Sequence, residues 1–177
     1  MLLDTWIPGF IPDLVKAGQV MLALGTGMAI GNMRESGFSK TLKLCLVVML
    51  LGLCIAFFMS FKTLVLTLLA LTFLSGGLVA GGVLNKQLIL GTAIVCGLGL
   101  GSSVLPMSGQ FLAGHVLILA NLAGIGLLVW GSATLSNWAQ HRQTALWPNI
   151  GIRIMGSWLL AISALMLALE LAGMGSL

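Results

Sequence analysis

The sequence predicts an all-α integral membrane protein, with about six transmembrane helices in one antiparallel bundle and glycine-rich helix contacts. Three observations carry that prediction. Of 177 residues, 59% are hydrophobic and 7% charged, a mixture too poor in polar groups to coat a soluble domain. Apolar runs of about twenty residues recur between short polar breaks, and each is long enough to cross about 30 Å of hydrocarbon as a helix. The runs are apolar all round, whereas barrel strands would alternate in segments of about ten residues.

In order, the expected spans are Leu14 to Met33, Leu42 to Ser60, Thr63 to Leu84, Leu88 to Pro106, Phe111 to Leu135, and Ile150 to Leu171. Residues 1–177 then form a single transmembrane domain, because so little chain is left outside the spans. The opening "WIPGFIP" carries two prolines, which argue against a regular helix there and leave a re-entrant piece as an alternative. The opening also lacks a basic stretch followed by a sufficient apolar core, so the first span is expected to act as its own insertion signal. Short connections lead to the expectation that consecutive spans are antiparallel neighbours. The polar stretch "NWAQHRQTALWPN", residues 137 to 149, reads as an interfacial connection along the membrane surface.

Charge asymmetry orients the bundle. Arg34, Lys40 and Lys43 lie around the first connection, Lys86 in the third, and Arg142 with Arg153 around the fifth, whereas the opposite side has Lys62, with Lys16 just inside the first span. The positive-inside rule puts those connections in the cytoplasm of a bacterial inner-membrane protein and both termini on the outer side. Trp6 at one interface and Trp130, Trp138 and Trp147 near the other suit aromatic belts, with Trp158 deeper. The net charge of +4 is scattered singly along connections, which is a topology signal and excludes a nucleic-acid interface. Partners are expected to be the lipid bilayer, and other membrane subunits or further copies of the chain.

Glycine is the organising residue. The pairs Gly27 with Gly31, Gly77 with Gly81, and Gly97 with Gly101 each share a helix face, where missing side chains let backbones approach and gain dispersion contacts that lipid cannot replace. The first, third and fourth helices are therefore the ones expected to pack most tightly.

An ionisable group at the centre of a span costs about 2.5 to 3.5 kcal/mol on insertion scales, so each needs a partner, water or an end position. Arg153 and Glu170 suit opposite ends of the last span. In the first span Asp13, Lys16 and Gln19, with Thr26 beyond, form a drifting polar stripe, read either as an ion pair near the surface or as the mouth of a solute path. His115 and Asn121 stand in the fifth span on different faces, and Ser108 with Gln110 could cap its start. Cys45, Cys54 and Cys96, an odd number inside spans, read as small packed hydrophobes rather than a disulfide framework.

Enzyme chemistry finds little support, and the chain is read as a non-enzyme without a cofactor. Two-histidine haem ligation would need a partner for His115 at membrane depth, and His141 is in a connection. Ser102 or Ser103 with His115 has no argued base or oxyanion geometry. No metal-ligand spacing occurs, and Met21 with Met28 serves packing.

The stretches "PGFIPDLVKAGQVMLALGTGMAIG", "LPMSGQFLAGHVLILANLAGIGLLV" and "IRIMGSWLLAISALMLAL" together resemble the HupE/UreJ family of small membrane proteins, hydrogenase and urease accessory permeases associated with nickel or cobalt uptake. The resemblance covers most of the chain and implies the number of spans and an outside amino terminus. That family's first helix carries histidines and an aspartate read as a metal site, with a second histidine-rich stretch before the Leu-Pro turn. Here the first region offers Asp13, Lys16, Gly18 and Gln19, and the second "GLGLGSSVLP". No metal ligand carries over, so the resemblance implies the scaffold without the metal chemistry. The expected function is movement of a small solute or ion along a path lined by Asp13, Lys16, Gln19, His115 and Asn121. The alternative is a non-catalytic subunit of a larger membrane complex.

Overall fold

A computed structural model describes residues 7–33, 35–56, 61–82, 85–104, 111–142 and 147–174. Within these, side chains are described for residues 16–33, 37–54, 66–82, 85–104, 118–140, 150–169 and 172. Six helices account for almost all of it: α1 Ile7–Gly31, α2 Glu35–Ala56, α3 Phe61–Gly81, α4 Lys86–Ser102, α5 Phe111–Arg142 and α6 Trp147–Met174. Among the described residues there is no strand. Three helices contain segments long and apolar enough to cross a membrane, Gly37–Cys54, Ile118–Gln140 and Ile150–Leu169. Leu66–Gly81 and Lys86–Ser102 are shorter apolar helices. The chain is a membrane-associated, all-helical protein.

Two local expectations are corrected. The "IPGFIP" stretch is helical, as α1 begins at Ile7. Pro8 falls in the first turn, where its missing N–H would have had no helical partner, and Pro12 removes one bond close to the helix start, where the cost is least. The polar stretch from Asn137 is not a connection either, because α5 continues through it to Arg142. At 1.5 Å per residue the 32 residues of α5 extend about 48 Å, well beyond a hydrocarbon core, so polar side chains are compatible with its final turns.

The packing order differs most from expectation. Close contacts mainly join helices that are not consecutive: α3 with α6, α2 with α4, and α1 with α5 are the most extensive pairs, followed by α1 with α3. Only α3 and α4 are both consecutive and substantially packed. A rod apolar on every side carries no seam that favours its chain neighbour, so short connections alone do not decide adjacency. The outcome is an inner triangle of α1, α3 and α4, with α5 laid against α1, α6 against α3 and α2 against α4.

Glycines set each inner–outer pair. A side chain on Gly27 would start 1.8 Å from Ser132 Oγ and 2.7 Å from the Val129 carbonyl oxygen, and one on Gly31 2.6 Å from Ser136 Cβ. A side chain on Gly97 or Gly101 of α4 would run into the carbonyls of Cys45 and Met49, and one on Gly52 of α2 into the Leu98 carbonyl. A side chain on Gly76 of α3 would start about 3 Å from the Leu160 nitrogen and the Gly156 carbonyl oxygen on α6. Gly77 lies against the Leu160 side chain, and Gly81 is exposed. Backbones this close exchange lipid contacts for dense protein contacts, the main attraction between helices in an apolar solvent.

These contacts also give directions. Gly27 beside Ser132 and Gly31 beside Ser136 make α1 and α5 parallel, Gly18 beside Leu68 and Gly25 beside Ser75 do the same for α1 and α3, and Gly97 and Gly101 beside Cys45 and Met49 for α2 and α4. Gly76 beside Leu160 and Gly82 beside Arg153 make α3 and α6 antiparallel. The buried cluster runs through the inner triangle, with Leu22, Ala23 and Ile30, Leu68 and Leu69, and Ala93, Cys96 and Leu100 at its heart.

Helix ends are closed by specific groups. Asn85 caps α4, its side-chain oxygen accepting from the Gln87 N–H at 3.1 Å. Gly82, in the left-handed region at φ 62°, ends α3, and Arg153 of α6 donates from Nε to the Ala80 carbonyl at 3.2 Å. Asn137 of α5 donates to the carbonyls of Gly31 and Met33 at 3.3 and 3.2 Å, and Gln140 donates to the Asn32 side chain.

Candidate functional site

The inner triangle carries a line of polar groups in an otherwise apolar interior. Thr26 on α1 and Thr72 on α3 donate to the carbonyls four residues earlier, Leu22 and Leu68, at 2.6 and 2.7 Å. Ser75 donates to the Thr72 carbonyl and faces Gly25. The Cys96 thiol of α4 lies beside the Thr26 side chain. These hydroxyls need no outside partner, because a helix carbonyl can accept a second bond without unwinding.

Gln19 is different in kind. It is 5% exposed, lies on the α4 side of α1, and donates its side-chain amide across the helix interface to the backbone carbonyl of Ser103. Ser103 is the C-cap of α4, and residues 101–104 around that helix end are all buried. The end is satisfied from within as well: Ser102 Oγ donates to the Gly99 carbonyl at 2.9 Å and Ser103 Oγ to the Leu100 carbonyl at 2.7 Å.

Register places this buried end halfway along α1. Thr26 meets Cys96 and Gln19 meets Ser103, so the two helices run antiparallel. Gln19 is the thirteenth residue of α1, and the twelve before it extend about 18 Å past the end of α4. With Gly52 beside Gly101, α2 ends one turn later at Ala56. The partly negative carbonyl end of α4 therefore points toward the half of α1 that bears Lys16 and Asp13.

The α1·α5 seam is uneven along its length. Lys16, Val20, Gly27 and Gly31 share one stripe of α1. Gly27 and Gly31 are buried under α5, while Lys16 is exposed and Val20 is 42% exposed. Among the described residues the pair is closed at Gly27 and Gly31 and uncovered at Lys16 and Val20. Carried along α5, the register of Gly27 with Ser132 puts His115 level with the first turn of α1. Asp13 and His115 stand on these helices, and their side chains lie outside the described residues, as do Glu170, Ser108 and Gln110. Asn121 is exposed and turned about a quarter-turn from the α1 seam, so it is not brought to Gln19.

Several groups that matter here were not singled out by sequence reading. Ser132 and Ser136 on α5 form the surface that receives Gly27 and Gly31, and their four-residue spacing was the available signal. Asn137 and Gln140 are hidden by the assignment of residues 137 to 149 to a connection, and with them the pairing of Gln140 with Asn32 at the end of α1. The acceptor for Gln19 is a backbone carbonyl, which no side-chain pattern marks. Cys45 and Cys96 are buried and Cys54 is exposed, all as free thiols. Among the described residues no three histidine, cysteine or acidic groups converge to hold a metal ion. The chain matches no family model, no curated protein and no solved structure.

Proposed function

We propose that the chain is a six-span permease of a bacterial inner membrane that admits a small solute or ion between the outer halves of α1 and α5. In this reading Lys16 and Asp13 stand at the mouth, with His115 opposite, and Gln19 with the end of α4 forms the first constriction. The supporting observation is the junction of Gln19 with Ser103, a polar helix end held at mid-height beside the uncovered part of the α1 stripe. Interrupted helices at mid-membrane serve transporters in this way, because their ends offer partial charge without an ionised side chain. The six-span arrangement draws support from helix directions, since odd-numbered helices pack parallel to one another and α2 packs parallel to α4. Both termini are then outside by the distribution of basic residues, and the HupE/UreJ likeness belongs to the scaffold alone.

The second reading, a non-catalytic subunit of a larger membrane complex, is favoured by the small cover on α5 and α6. Only 17% of each apolar segment is buried within the chain. Stopped-flow light scattering of vesicles holding the purified chain separates the two readings, with glycerol, urea and alkali chlorides as osmolytes. The permease reading expects swelling selective for one of these solutes, reduced about tenfold by Lys16→Ala. Swelling equal to that of empty vesicles for every osmolyte would leave the subunit reading.

A further inference from the structure

α5 has a second stripe that is largely uncovered among the described residues. Asn121, Gly124, Leu128, Gly131, Leu135 and Trp138 recur at alternating spacings of three and four, the a and d positions of a heptad pattern. This stripe lies roughly a third of a turn from the one that packs on α1. Leu128, Leu135 and Trp138 are 38%, 66% and 49% exposed. Gly124 and Gly131 have no atom within 4 Å of where a side chain would begin, unlike the glycines of the inner–outer pairs, each of which receives a neighbouring helix. A half-open apolar groove of about 580 Å³ runs beside the seam, between Leu24 and Met28 of α1, Leu128 and Leu135 of α5, and Ile152 and Met155 of α6.

Asn121 identifies the occupant. It lies within the apolar segment Ile118–Gln140, exposed, with no hydrogen bond among the described residues. Acyl chains can satisfy neither its donors nor its acceptor, and an unpaired amide in hydrocarbon is costly. A second asparagine amide can satisfy both, because each supplies what the other lacks. Copies of one membrane protein are inserted in the same direction, so a two-fold axis along the membrane normal brings equal-numbered residues of two α5 helices together. A lone asparagine in a heptad seam is also a known device for fixing register.

We infer that the α5 seam from Asn121 to Trp138 is the contact surface for a second copy of this chain, packed in parallel about a two-fold axis. The glycines let the two α5 backbones approach, and the adjoining groove receives apolar side chains of the other copy. This surface is independent of any solute path.

The test uses the full chain, purified and reconstituted in phosphatidylcholine vesicles at falling protein-to-lipid ratios. Förster transfer between donor- and acceptor-labelled copies is expected to persist on dilution and to be abolished by excess unlabelled chain. Gly131→Leu fits the open space of a single copy and is expected to raise the half-dissociation ratio at least tenfold with helix content unchanged. In a Cys54→Ser background, Asn121→Cys is expected to give a disulfide-linked dimer on mild oxidation, while Gly91→Cys on α4 stays monomeric. Transfer that falls to the level of random collisions at every dilution, or equal cross-linking at positions 91 and 121, would overturn the inference.

Discussion

Gln19, the middle residue of α1, donates its side-chain amide to the carbonyl of Ser103, the residue that caps α4. Both groups are buried, so the bond is a joint between two inner helices and also the closure of a helix end. Its removal has an asymmetric effect. Gln19→Leu leaves a buried carbonyl without this donor and is expected to destabilise by about 1 kcal/mol, within the range for interhelical bonds in membranes. Ser103→Ala keeps that carbonyl and loses only a bond within α4, so its expected effect is under about 0.5 kcal/mol. Reversible unfolding in mixed detergent micelles measures both; equal losses would contradict the joint.

Glycine-to-alanine changes are expected to differ in sign with position. Gly27→Ala would place a methyl 1.8 Å from Ser132 Oγ and 2.7 Å from the Val129 carbonyl, forcing α1 and α5 apart at a cost of about 1 to 3 kcal/mol. Adding Ser132→Ala relieves the first clash but not the second, so rescue is partial. Gly91→Ala meets nothing within 4 Å and gains up to about 1 kcal/mol of helix propensity. Thermal unfolding midpoints of the three variants check the order.

Much of the architecture was legible in the sequence, and the reason differs from element to element. Helical rods follow from uniform apolar runs such as "LILGTAIVCGLGL", because composition and length suffice to select a helix in lipid. Which rods touch does not follow: the surface opposite Gly27 and Gly31 is Ser132 and Ser136, about a hundred residues away, and two weak small-residue patterns do not name one another. Asn137 reads as a connection because polarity marks where a rod is expected to leave the apolar layer, whereas α5 continues as a helix to Arg142. Gln19 stood out as an amide in a span, but its acceptor is backbone and has no sequence signature.

Asn137 ties the end of α1 to α5 through the carbonyls of Gly31 and Met33. Asn137→Leu removes both bonds and is expected to fray the last turn of α1, at a cost of about 1 kcal/mol. Hydrogen exchange of the amides of residues 28–33 should rise at least fivefold, with exchange in α4 unchanged. Unaltered protection at residues 28–33 would show that the contact carries no weight.

The three thiols differ in access. Cys45 of α2 and Cys96 of α4 are buried, and Cys54 is exposed. N-ethylmaleimide in mild detergent is expected to modify one cysteine per folded chain quickly and all three only after denaturation. Cys54→Ser should abolish the fast reaction. Rapid modification of more than one thiol in the folded chain would contradict the burial of Cys45 and Cys96.

The proposed path requires six helices that cross the bilayer in alternating directions, and membrane-impermeant thiol labelling in oriented vesicles tests that requirement most directly. Single cysteines replace Lys40, Lys62, Lys86 and Ser108 in a chain whose own three cysteines are serine. The account predicts that positions 40 and 86 react only from the cytoplasmic face and positions 62 and 108 only from the opposite one. Reaction of all four from a single face would contradict it.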